Sequence, residues 1–221
     1  MQNQTLHILN GQSMFDHFKK TGFLDGEMMI PFNEAMCYGK TTENIFSNDF
    51  IEKRAEVHHV TIQQYADITL KPLEPLLNGE FTNLELWFDS DMFCQMNILT
   101  ILAWLDQNQH KGIITLHIVD DFFTPIEKYT LKANDYAALY KQVLIQKLMP
   151  SEITSPPLKK GVELYLNYLN PDSDLQIYIR EHINTPENEL VRSLLDQFKE
   201  YGLGDTQYIA LIQNFRSEIN R

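Results

Sequence analysis

Residues 84–119 read LELWFDSDMFCQMNILTILAWLDQNQHKGIITLHIV, and this stretch decides the fold. Leu84 to Phe88 is a short apolar run with aromatic residues, closed by the polar string Asp89, Ser90, Asp91. From Met92 to Asp106, Phe93, Met96, Leu99 and Ala103 recur at helical spacing, with Ile98, Leu102 and Leu105 beside them. Gly112 then opens a second apolar run that ends at Val119. A strand, a helix and a strand joined by short links form a βαβ unit: the strands run parallel and the helix covers the sheet.

The pattern extends in both directions. Upstream, Leu6 to Leu9 reads as a first strand, closed by Asn10-Gly11, with Ser13 placed to cap a short helix through Lys20. Glu27 to Phe32 reads as a second strand. Residues 48–57 read as helical, and 62–77 as partly helical, interrupted by Pro72 and Pro75. Downstream of Asp121 the character changes. Asn134 can cap a helix to about Leu148, and Pro150, Pro156 and Pro157 mark a linker. Helices follow over about 158–169 and 175–183. Another runs from the cap-like Thr185-Pro186-Glu187 to about Tyr201, and the last from Asp205 to Ile219, with Gly202-Leu203-Gly204 between those two. The expected class is α/β: a mostly parallel sheet flanked by helices in the N-terminal half and an all-helical C-terminal part. The expected boundaries are an α/β domain over 1–123, a connecting helix and linker over 124–157, and a helical domain over 158–221.

Composition narrows the function classes. At 221 residues, with 43% hydrophobic and 11% aromatic side chains, the chain can bury a core and is not disordered. The net charge of −12 repels phosphate backbones, and no basic run exceeds a pair (Lys19-Lys20, Lys53-Arg54, Lys159-Lys160). The last helix carries Arg216 as its one base, so nucleic acid is disfavoured as a partner. Residues 1–121 hold 17 acids against 7 bases, which places any attraction for cations in the first half. The longest uncharged apolar run, 93–105, is too short to cross a bilayer and contains Gln95 and Asn97, so no membrane partner is expected. Two cysteines and a start without a basic-then-apolar leader give a cytoplasmic, reducing location as the expectation.

The residues that can carry chemistry gather at strand ends. Asp89 and Asp91 stand where a strand ends and a helix begins, and the neighbouring strand ends at Asp120-Asp121. In open α/β sheets ligands bind outside the carboxyl ends of the strands. Carboxylates from two strands meeting there suit Mg²⁺ or Mn²⁺, with Asp89, Asp91 and Asp120 as the metal set. The competing reading makes Asp91 a helix cap and Asp89 a turn residue. Asn10-Gly11 followed by a helix can present amides and the Ser13 hydroxyl to an anion, or be a tight turn with a cap. Cys94 falls in a first helical turn, where the dipole favours a thiolate, but Asp89 and Asp91 oppose that and packing is the simpler role. His7 and His117 lie inside strands and read as core histidines. No phosphate-binding glycine loop and no zinc-ligand spacing occurs.

The strings from Leu6 to Ser13 and from Leu86 to Gln95 together resemble the bacterial domain-of-unknown-function 1835 family, over about residues 5–121. Its hallmark is an apolar strand, an acid, then an Asp-apolar-aromatic-x-Gln start to a leucine-rich helix. Glu34 to Gly39 and Arg54 fall where that family tends to have an acid, a glycine and an arginine. Leu194 to Phe198 and Gly202 to Gln207 resemble its companion helical domain. The resemblance implies no established activity. It implies that His7, Asn10, Ser13, Glu34, Arg54, Asp89, Asp91 and Gln95 act together. The family often has aspartate where this chain has Cys94, which argues against an obligatory cysteine nucleophile.

Two function classes follow. One is a binding or regulatory module that takes a small polar ligand at the C-terminal edge of the sheet, with the helical part as a homodimer surface. The other is a divalent-metal hydrolase or phosphoryl-transfer enzyme using Asp89, Asp91 and Asp120, with His7 as acid or base.

Overall fold

The computed structural model describes residues 4–79 and 81–219. Strand β1 (Thr5–Leu9) is followed by α1 (Gly11–Thr21), β2 (Met28–Pro31), α2 (Asn48–Val57), α3 (Ile62–Tyr65) and α4 (Glu74–Leu77). A π-turn, Ala66–Leu70, continues α3. Then come β3 (Asn83–Phe88), α5 (Met92–Gln107), β4 (Ile113–Val119) and β5 (Pro125–Leu131). The rest is helical: α6 (Tyr136–Tyr140) with a π-turn after it, α7 (Pro156–Tyr168), α8 (Asp174–Glu181), α9 (Glu187–Gln197), a 3₁₀ turn (Lys199–Tyr201) and α10 (Asp205–Ile219).

The strands form one sheet in the order β2-β1-β3-β4-β5. β1 pairs in parallel with β2 on one side and β3 on the other, and β3 pairs in parallel with β4. The two connections leaving β1 and β3 therefore diverge, and the sheet's switch point lies between the carboxyl ends of these strands. The expected α/β class and mostly parallel sheet are present. Strand one and the 84–88 strand are neighbours, with Leu9 opposite Trp87.

Two features differ from the sequence reading. Residues 125–131 form β5, antiparallel to β4, where a connecting segment was expected. This edge strand is mostly exposed, with Glu127 and Lys128 in its middle, so it lacks the apolar signal of a core strand. Helix α1 starts at Gly11 with Asn10 in the cap position, so Ser13 is its third residue rather than its cap.

The helical part shares its core with the sheet. A single buried cluster runs from Leu6, Leu86 and Leu116 in the strands through Met96 and Leu99 of α5 to Val162, Tyr165, Ile179, Leu194 and Ile212. Among the described residues, no separate core marks off 158–219.

Helix α5 sits at the centre of this arrangement. The sheet lies on one side of it and α6 and α7 on the other, so its residues are buried almost all round. A helix that is apolar on every face belongs inside a protein. On the opposite face of the sheet, Leu9, Trp87 and Val119 form a smaller cluster with Met14 and Phe18 of α1. Among the described residues, no helix is long and apolar enough to cross a membrane.

Candidate functional site

The end of β3 sets the geometry. Asp91 has extended backbone and caps α5: its Oδ1 accepts from the Cys94 amide at 2.7 Å. Its Oδ2 accepts from the Cys94 thiol at 3.4 Å. Asn10, at the end of β1, donates from Nδ2 to Cys94 Sγ at 2.9 Å, and its own amide donates to the Trp87 carbonyl at 3.0 Å. Asp89 Oδ1 accepts from the Asp91 amide at 3.3 Å. Gln95 donates to the Asp89 carbonyl at 2.8 Å, and its buried Oε1 has no partner among the described residues. The switch point thus joins Asn10, Asp89, Asp91, Cys94 and Gln95 through direct contacts.

The helical part closes over this group. A Cβ on Gly202 would overlap the Asp91 carboxyl group, and a Cβ on Gly161 would overlap Gln95. Gly202 follows the 3₁₀ turn in left-handed backbone (φ 64°), and Gly161 lies within α7. Only glycine lets both backbones approach so closely. Between the sheet edge and the helices lies an open cleft of about 490 Å³. Asp89, Asp91 and Asp121 line its sheet side, and Lys160, Lys199 and Gly202 its helical side. Lys160 lies 3.8 Å from Glu200, whereas neither Lys199 nor Asp121 has a side-chain hydrogen bond or ion pair among the described residues.

Burial dominates the electrostatics. Loss of water, reinforced by the Asp89 charge, pushes the Asp91 carboxyl up to about 6. Asp89 also rises through burial. The Cys94 thiol is pushed well up by burial and then by the two aspartates, so it stays protonated and is no nucleophile. The cleft can offer carboxylates to a cationic group and ammonium groups to an anionic one. Asp91, within reach of its midpoint near neutral pH, can accept or donate a proton.

The other expected site residues lie elsewhere. His7 is buried in mid-strand, where its Nδ1 accepts from the Trp87 indole at 3.1 Å. Burial lowers its pKa, and it does not line the cleft. His117 stacks on Trp87 and bonds Glu85 at 2.7 Å. Ser13 is exposed on α1 and makes no side-chain hydrogen bond among the described residues. Glu34 and Arg54 form a fully buried ion pair beyond β2, away from the cleft lining. The expected metal set is not assembled: Asp120 Oδ1 accepts from the turn amides of Phe122 and Thr124 at 2.9 and 2.8 Å, and Asp91 is committed to Cys94. Among the described residues no three His, Cys, Asp or Glu side chains are placed to hold a metal ion. Sequence reasoning missed Lys160 and Lys199, whose surroundings read as ordinary solvated helix. Their one signal was the glycine string at 202–204, which brings the helical part to the acids.

Comparison with protein-family models, with curated proteins and with solved structures finds no match to this chain.

The Asp91 environment makes a pH prediction. Its folded pKa lies above the unfolded value, so the folded state holds the extra proton between about 3.8 and 6. Stability from this group is present at low pH and is lost as pH rises through about 6. Asp91→Asn keeps a good capping residue and removes the charge. The variant is expected to gain about 2–3 kcal/mol on wild type between about pH 4 and pH 7. Urea melts at the two pH values check this, and an unchanged difference between the proteins would refute it.

Proposed function

We propose that this protein binds a small polar ligand carrying charges of both signs, in the cleft at the C-terminal edge of the sheet. The observation that carries this reading is the cleft's lining: Asp89, Asp91 and Asp121 face Lys160 and Lys199 across about 490 Å³. A volume in that range suits a small molecule. The switch-point position supports the same reading. So does the resemblance to the 1835 family, whose strings include Asp89, Asp91 and Gly202 of the lining. A binding or regulatory role fits better than metal-assisted hydrolysis, because the acids cap turns and a helix.

The test is a thermal-melt screen with amino acids, dicarboxylates, polyamines and nucleoside phosphates, alongside Mg²⁺ and Mn²⁺. A ligand at about 100 times its Kd adds about 2.7 kcal/mol, a rise of roughly 5–10 °C for a chain of this size. Asp121→Asn and Lys199→Ala change exposed residues and leave the fold intact. Each is expected to remove most of the rise. A rise that survives both variants places the ligand elsewhere, and no rise with any compound ends the proposal.

A further inference from the structure

A second pocket, separate from the cleft, lies beside α2 and α3. Its volume is about 240 Å³, and Asn33, His58, Val60, Tyr65, Ile68 and Thr69 line it. His58 Nε2 lies 2.6 Å from Glu34 Oε1, and its ring stacks on Tyr65. The Glu34 carboxylate is held by Arg54 at 2.7 and 3.2 Å, by the Tyr65 hydroxyl at 2.6 Å and by the Ala35 amide at 2.7 Å. These donors keep it ionised, so it can only accept.

This fixes the imidazole. Glu34 requires the proton to sit on His58 Nε2. Arg54 also approaches that nitrogen at 3.2 Å, but the two protons of the same Arg54 nitrogen go to Glu34 and the Ala35 carbonyl. Nδ1 therefore carries a lone pair, and it has no partner among the described residues. The side chain is 30% exposed. A histidine held by a buried carboxylate, with its other nitrogen unpaired beside a pocket, is arranged as a general base.

We propose that His58 is a general base for hydrolysis of small uncharged esters in this pocket, with Glu34 as its positioning residue. Among the described residues no lysine or arginine lines the pocket to receive an anion, and Val60, Ile68 and the Tyr65 ring offer apolar walls. In the reaction, a water oxygen forms a bond to the ester carbonyl carbon while its proton passes to His58 Nδ1. Glu34 stabilises the imidazolium. The carbon–oxygen bond to the leaving group then breaks, the leaving oxygen keeps the electron pair and takes the proton from Nδ1, and the acid product departs.

The probe is p-nitrophenyl acetate with the full chain, followed by nitrophenolate release. Wild type is expected to exceed His58→Gln by roughly a hundredfold, the low end for general-base catalysis. Gln at this position can still donate to Glu34, so the variant is expected to fold. His59→Gln, at the exposed neighbour, should leave the rate unchanged. Nitrogen NMR of wild type gives an independent check that needs no variant: the Nε2–H tautomer is required. Equal rates in wild type and His58→Gln, or a Nδ1–H tautomer, would overturn the proposal.

Discussion

Arg54→Met is expected to destabilise the fold by about 3–5 kcal/mol, the usual cost of breaking a buried ion pair from one side. Arg54 is wholly buried, and all its donors are used. Two go to Glu34, two to the Tyr38 and Lys40 carbonyls at 2.6 and 3.1 Å, and one to the Ala35 carbonyl at 2.9 Å. Methionine fills much of the space but satisfies none of these groups, and it leaves the Glu34 charge without its cation. A chain of this size should lose about 6–20 °C in Tm.

The pH dependence should change sign. In wild type, burial raises the Glu34 pKa, but its bonds to His58 and Arg54 outweigh that and hold it down at about 2. Its stabilisation is present above about 4.5 and is lost as pH falls toward 2. Without Arg54, burial pushes the carboxyl up, so the variant should lose stability as pH rises. Adding Glu34→Gln should restore part of the loss, because no uncompensated charge then remains buried. A Tm close to that of wild type for Arg54→Met would show that the pair does not hold the 34–40 loop.

What the sequence disclosed follows from where the physical signal was local. Residues 84–119 revealed the βαβ unit because a short apolar run, a polar break and helical spacing all lie within one stretch. Asp91 was readable as a cap for the same reason. β5 was not readable, because an exposed edge strand needs few apolar residues, and residues 125–131 turn only Tyr129 and Leu131 partly inward. The Glu34, Arg54, His58 and Tyr65 cluster was only half visible. The four side chains are separated in sequence and meet only when α2 and α3 pack beside the end of β2. Lys160 and Lys199 were invisible as site residues, since nothing local distinguishes a lysine facing a cleft from one facing bulk water. Shared burial between sheet and helices was equally hidden, because both faces of a shared core look like two ordinary cores in sequence.

Gly202→Ala is expected to cost about 2–5 kcal/mol, from two separable causes. The first is backbone strain: the residue sits at φ 64°, which costs an L side chain about 1–2 kcal/mol. The second is overlap with the Asp91 carboxyl group, for which overpacking typically costs about 1–3 kcal/mol. Asp91 cannot swing away without giving up its bonds to the Cys94 amide and thiol. Relief must come from the helical part, which would have to lift off the sheet edge. A double-mutant cycle separates the two causes. In an Asp91→Ala background the overlap is gone, so Gly202→Ala should then cost only the backbone share, and the coupling should be about 1–3 kcal/mol. Gly161→Ala is the internal comparison: it meets Gln95 in helical backbone, so it carries overlap without left-handed strain. Equal costs for Gly202→Ala in both backgrounds would mean that Asp91 does not feel the helical part. The cleft wall would then not depend on that contact, and any ligand found there should keep its affinity in the variant.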